Sequence, residues 1–197
     1  MGLFQPAWQG RDLARAEKAV DKEISQDVLF EIARTAPLPA IQERAARRIT
    51  DQSLLFNLAM SEATSNLTAV SMLTDRAQLA FLAGHSTNDR VRVKAYRQLD
   101  DQAGLADIAH TGTDRFAREE AIEHLTDQAL LTQIARSDED TMSASAAATM
   151  LYLRFNACPH DYRLASVESW HDDWGFYHRI ETHKCRFCGQ PEPDPES

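Results

Sequence analysis

The chain has little cysteine and little glycine. Only Cys158, Cys185 and Cys188 occur, and the first 157 residues hold none. An odd number of cysteines gathered at one end excludes a disulfide framework as the support of the fold. It points instead to a metal, or to thiols in a reducing compartment. The 7 glycines form no phosphate-cradling loop, and no His-Glu-x-x-His occurs. Long apolar runs are missing too, so no membrane span is expected. Met1-Gly2-Leu3-Phe4-Gln5-Pro6 has neither the basic flank nor the apolar stretch of a secretory signal. Pro6 stands where N-myristoylation needs Ser or Thr. The expected location is therefore the cytoplasm. Positive charge is also short: 21 Lys and Arg against 30 Asp and Glu, a net charge of −9. Such a chain repels phosphate backbones as a whole, which argues against nucleic acid as the main partner.

What is present is enough to bury a core. Hydrophobic residues make up 43% and charged residues 26% of 197 residues, ordinary values for a globular protein. The apolar residues recur in a repeated frame. Leu125-Thr126-Asp127-Gln128-Ala129-Leu130-Leu131-Thr132-Gln133-Ile134-Ala135 matches Leu99 to Ala109, Leu73 to Ala83 and Ile49 to Ala59. A copy one residue shorter runs from Ile24 to Ala33. The terminal alanines fall at 33, 59, 83, 109 and 135, a period of 24 to 26 residues. Such self-similarity marks a repeat architecture.

Each copy reads as the start of a short helix. Thr or Asp sits at the N-cap, where a side-chain oxygen accepts from an orphan amide. Leu and then Ile or Leu three residues later make an apolar stripe. After a polar break a second helix follows, such as Arg90 to Leu99 or Phe116 to Leu125. Val91, Ala95 and Leu99, and Ala117, Ala121 and Leu125, share one face at four-residue steps. A pair of ten-residue helices cannot bury its face alone, so stacking of neighbours is expected. A helix from about Leu13 to Lys22 should start the array, and one from about Met142 to Phe155 should close it.

The Leu-Thr-Asp-Gln-x-x-Leu-x-x-Ile-Ala frame, with Val91-Arg92-x-x-Ala95 in the second helix, resembles the short HEAT-like repeats of bacterial proteins. The opening Met1-Gly2-Leu3-Phe4 with Pro6-Ala7-Trp8 is similar to the start of such proteins. The resemblance spans residues 1–155. It implies a mainly α protein, a right-handed α-solenoid of about five helix pairs plus an N-terminal helix. It also implies a binding scaffold whose second helices line the concave surface. Arg44, Arg47, Arg48, Arg90, Arg92, Lys94, Arg97, Arg115 and Arg118 lie in or beside those helices. Arg44, Arg48, Arg92 and Arg118 are the candidate partner-binding residues, for an acidic segment of another protein or a phosphate-bearing ligand. The competing expectation is that they pair within the chain, with acids such as Asp89, Asp114 and Glu119. A nucleic-acid-associated factor using these arginines together with the C-terminal module is the alternative function. No enzyme is expected, because His85, His110 and His124 fall at different phases of different repeats.

After Asn156 the composition changes. Cys158-Pro159-His160 is followed by 24 residues and then Cys185-Arg186-Phe187-Cys188-Gly189. Cys-x-x-Cys-Gly is a tight turn whose thiolates grip one metal. Cys158, His160, Cys185 and Cys188 make a tetrahedral zinc set. His183 is the main substitute for His160, ahead of His171 and His178, and an iron–sulfur cluster is the rival occupant. Tyr162, Leu164 and Ser166 should share one face of a strand, opposite Arg163, Ala165 and Val167. A second strand is expected over Tyr177 to Thr182, with a turn at Asp172-Asp173-Trp174-Gly175. Residues 156–189 thus resemble a zinc ribbon. So small a segment needs a staple to hold its fold. Four protein ligands leave no place for water, so the site reads as structural. Trp170, Trp174, Phe176 and Tyr177 crowd the expected hairpin tip. Residues 190–197 are acidic and proline-rich, and disorder is expected there.

Overall fold

The computed structural model describes residues 6–136, 141–155, 158, 160, 162–171, 177–185, 187, 190, 192 and 193. At 141, 155, 162, 170, 171, 178 and 180 it describes backbone only. A 3-10 turn at Ala7–Gln9 precedes helix α1, Leu13–Lys22. Among the described residues five helix pairs follow. They are α2 (Gln26–Thr35) with α3 (Pro39–Ala46), α4 (Gln52–Ala59) with α5 (Asn66–Met72), and α6 (Arg76–His85) with α7 (Asp89–Leu99). Then come α8 (Gln102–Thr111) with α9 (Arg115–His124), and α10 (Gln128–Arg136) with α11 (Thr141–Phe155). An antiparallel hairpin, β1 (Tyr162–His171) and β2 (Tyr177–Cys185), follows α11.

The helices begin where polar side chains satisfy their first amides. Ser25, Asp51, Asp75 and Asp101 each accept from an amide two or three residues on. Asn88 and Asp114 do the same for the second helices α7 and α9. Of the repeated Thr-Asp pair, the aspartate is the cap. The threonine instead bonds to the preceding repeat. Gln26 Oε1 accepts from Thr50 N at 2.7 Å and Thr50 Oγ1 at 3.3 Å, while its amide donates to Arg48 O. Gln52 and Gln102 repeat this with Thr74 and Thr126. In the remaining copy both members change: Arg76 replaces Gln, and Asp100 replaces Thr with a left-handed φ of 58°. Arg76 still donates to the helix-end carbonyl, Leu99 O.

The apolar stripes meet inside. Leu29, Ile32, Leu55, Leu58 and Leu82 are fully or almost fully buried in one cluster. Leu105, Ile108, Ile122, Leu131, Ile134 and Leu151 form a second. Each such side chain stabilises by roughly 1.5–3 kcal/mol on burial. Helix α7 belongs to both: Val91 and Ala95 enter the first cluster and Val93 the second. The two helices of each pair pack together. Second helices touch in series from α3 to α11, and among first helices α2 meets α4 and α8 meets α10.

In the hairpin Tyr162 lies opposite Cys185 and His171 opposite Tyr177, with a register shift between Leu164 and Ser166. The shift corrects the expected alternation. The inserted residue, Ala165, reverses the faces that follow. Leu164 pairs with His183 and Val167 with Glu181, so Val167, and not Ser166, shares the face of Leu164. The second strand also runs three residues beyond Thr182, to Cys185. The turn at Asp172 to Gly175 and Phe176 lie outside the described residues, as does the side chain of Trp170.

Candidate metal centre

Two stretches of chain converge at the base of the hairpin. One leaves α11 and carries Cys158 and His160; the other ends β2 with Cys185. Their ligand atoms all lie within 4.8 Å of one another. Cys158 Sγ is 3.5 Å from Cys185 Sγ, far longer than a disulfide of about 2.05 Å. A tetrahedral ion with metal–sulfur bonds of about 2.3 Å sets its sulfurs about 3.8 Å apart. The separation thus suits thiolates sharing an ion. His160 has a positive φ of 44°, the left-handed region that side chains other than glycine seldom adopt. Cys185 is only 2% exposed, and its amide donates to Gln190 O at 2.8 Å.

The structure distinguishes among the histidines. His160 belongs to the group; His183 does not. Its Nδ1 lies 3.6 Å from the Glu192 carboxylate. His178 sits opposite Trp170 at the far end of the hairpin, seven residues from Cys185. At about 3.3 Å per residue that is roughly 23 Å away. His171 is at the same far end. Cys188, the fourth expected ligand, lies outside the described residues. Of the tail from residue 190, for which disorder is expected, residues 190, 192 and 193 are described. Gln190 O accepts from Cys185, and Glu192 N donates to His183 O at 3.0 Å. The outer edge of β2 has backbone groups that must be satisfied, and this segment supplies their partners.

The four candidate partner-binding arginines each contact groups within the chain. Arg44 makes a two-pronged pair with Asp21 on α1, both contacts 2.8 Å, with Glu17 at 3.5 Å. The hydrogen bond to Arg44 holds the Asp21 carboxyl below the usual carboxylate range. The other three donate to carbonyls at helix C-termini. Arg48 reaches Val20 O on α1. Arg92 reaches Ala83 O on α6 at 3.1 Å, and Arg118 reaches Gly112 O after α8 at 2.8 Å. Arg154 does likewise for Leu125 O and Glu123 O at the end of α9. Helix ends leave their last carbonyls without intrahelical partners, and a guanidinium satisfies them while complementing the dipole. Arg92 also pairs with Asp89 and Asp107, both at 3.3 Å. For Arg92, the Val91-Arg92 pair of the second helix was the sequence signal for this role.

His124 accepts from Arg97 Nη1 through Nε2 at 2.9 Å. An arginine can only donate, so this contact favours an unprotonated Nε2 and a neutral ring. Burial, with Arg97 beside it, pushes the His124 pKa down. A groove of about 820 Å³ between α8 and α10 is lined by His110, Gln128, Ala129, Thr132, Gln133 and Arg136.

Comparison of the chain with family models, curated proteins and solved structures finds no match. Among the described residues, no helix is long and apolar enough to cross a membrane.

Proposed function

We propose that this chain is a non-enzymatic scaffold for a protein partner. Residues 1–155 form a right-handed α-solenoid of five HEAT-like helix pairs behind an N-terminal helix, and 156–189 form a zinc-ribbon-like module. The solenoid reading is supported by the sequential packing of second helix on second helix along the chain. The zinc reading is supported by the donor set. Two thiols and an imidazole suit a borderline-soft ion better than magnesium or calcium. Cys188 is the proposed fourth ligand, which closes the shell and makes the ion structural.

The observation that carries the scaffold reading is apolar exposure at the C-terminal end. Tyr152 is 65% exposed and Leu153 67%, with Met142 on the same helix also exposed. Leu164, Val167 and Tyr177 of the hairpin are exposed as well. Tyr152 and Leu153 are neighbours on the last turns of α11, and adjacent exposed large apolar side chains support an interaction surface there. The arginines contribute less to a partner surface, because their donors are already used for helix ends and ion pairs.

Affinity purification of the full chain tests the reading. Tyr152→Ser combined with Leu153→Ser should abolish recovery of the partner. The Arg44, Arg48, Arg92 and Arg118 alanine variant should keep it at temperatures where its helices remain folded. The reverse result would move the contact to the arginines. The nucleic-acid alternative requires oligonucleotide binding that weakens steeply with salt.

A further inference from the structure

We propose that the ion held by Cys158, His160 and Cys185 is the latch of an end cap: it seats Phe187 on the last helix pair and closes the second helical core. This inference rests on the zinc reading above.

The array has an end problem. Every second helix before α11 packs on the next one, and among the described residues no further helix follows α11. Met142, Ala146, Met150 and Leu153 form an apolar stripe along it, at steps of four, four and three residues. The stripe is not uniformly covered. Ala146 and Met150, in its middle, are half-buried against the second core, while Met142 and Leu153 at its ends are exposed. Phe187 is half-buried against that same core. It lies in the Cys-x-x-Cys turn, two residues after Cys185. Repeat arrays need terminal caps, because an uncovered stacking face is apolar.

The hairpin cannot hold that cap in place alone. Two strands in water are marginal, and residues 163–169 of β1 are all exposed. The metal group supplies the missing constraint. Its ligands join the exit of α11 to the exit of β2, closing the 27-residue span between Cys158 and Cys185. The bonds Cys185 N to Gln190 O and Glu192 N to His183 O then fix the turn that carries Phe187. Loss of the ion frees both ends of this loop, and Phe187 leaves its seat.

The test uses the full chain, stripped with chelator and reloaded with Zn(II). Stoichiometry is read by competition with a chromophoric chelator. Helix melting is followed by circular dichroism, and amide exchange is followed on α10 and α11. The native chain should bind one equivalent, gain at least about 4 °C in Tm, and exchange about tenfold more slowly on those helices. Phe187→Ala should bind the same equivalent with neither gain, and Phe187→Leu should recover most of both. Cys158→Ser should lose binding and gains together. One equivalent bound with no change in melting or exchange would overturn the cap while leaving the zinc reading intact. Retention of both gains in Phe187→Ala would do the same. Absence of zinc binding in the native chain would overturn the zinc reading and the cap with it.

Discussion

Replacing Asp89 with alanine should be among the most damaging single changes in the helical array. The residue opens α7 and is only 7% exposed. Its carboxylate accepts from Thr113 N at 2.6 Å, Thr113 Oγ1 at 2.9 Å and Asp114 N at 3.1 Å, and faces Arg92 at 3.3 Å. It thereby ties one pair to the next, as Gln26, Gln52 and Gln102 do among the first helices. Hydrogen bonds to a charged group contribute roughly 1.5–3 kcal/mol each, and they do not add fully. Part of the gain offsets the cost of burying the carboxylate. A net loss of about 3 kcal/mol follows, or about 6–12 °C in Tm for a chain of this size. Asp89→Asn keeps an acceptor for Thr113 and loses the attraction to Arg92, so about 1 kcal/mol is expected. Urea unfolding at neutral pH measures both. The pH dependence supplies a second arm. Burial pushes the Asp89 carboxyl up, but the Asp114 amide, the Thr113 hydroxyl and amide, and Arg92 outweigh it and hold it below its usual value. Its contribution is therefore complete above the unfolded-state pKa of about 3.9 and disappears as pH falls through the lower folded value. Asp89→Asn should flatten that part of the acid limb. A cost below about 0.5 kcal/mol for Asp89→Ala, or an unchanged acid limb in Asp89→Asn, would refute the reasoning.

Further outcomes can be checked in the same assays. Burial and Arg97 lower the His124 pKa, so the unfolded chain takes up its proton first. Stability should fall as pH drops below about 6.5, and His124→Gln should remove that component; an identical slope in the variant would exclude the assignment. Two helical glycines should respond oppositely to alanine. A Cβ at Gly84 meets nothing within 4 Å, so Gly84→Ala should stabilise by up to about 1 kcal/mol. A Cβ at Gly104 would lie 2.3 Å from the Tyr96 ring, so Gly104→Ala should destabilise by about 1–3 kcal/mol despite the better propensity. Equal signs in calorimetry would show the packing argument to be wrong. Chelator treatment should weaken the hairpin before the first core, because only the second core touches Phe187. Simultaneous melting of both regions with and without metal would contradict this.

The helices were legible in the sequence because their signals are local. A capping aspartate, a leucine and a following isoleucine specify a short amphipathic helix wherever they occur, and the 24- to 26-residue recurrence located all five first helices. The initial helix, Leu13–Lys22, also falls where the pattern put it. Cys158, His160 and Cys185 were legible for a related reason: thiol and imidazole chemistry narrows what such residues do together. The roles of the polar residues were less legible. Thr50 reads as a cap in its own helix, yet its partner is Gln26 of the preceding repeat. Arg48, Arg92 and Arg118 read either as a basic face for a ligand or as partners for groups within the chain, and the sequence did not show that they reach the carbonyls at the ends of α1, α6 and α8.

By itself, then, the sequence determined where helices start, which of their faces are apolar, and which side chains suit a metal. These follow from neighbours within a few residues along the chain. Only the tertiary structure decided where long polar side chains spend their hydrogen bonds. A guanidinium reaches across to another helix, and its partner depends on which carbonyl the packing leaves open. It decided the faces of β1 as well, because one bulged residue at Ala165 exchanges them. It also placed His160 within 4.8 Å of the two thiols, and set His183 beside Glu192. Spacing allows either, but only the meeting of the two chain exits at the hairpin base brings one imidazole to the thiols.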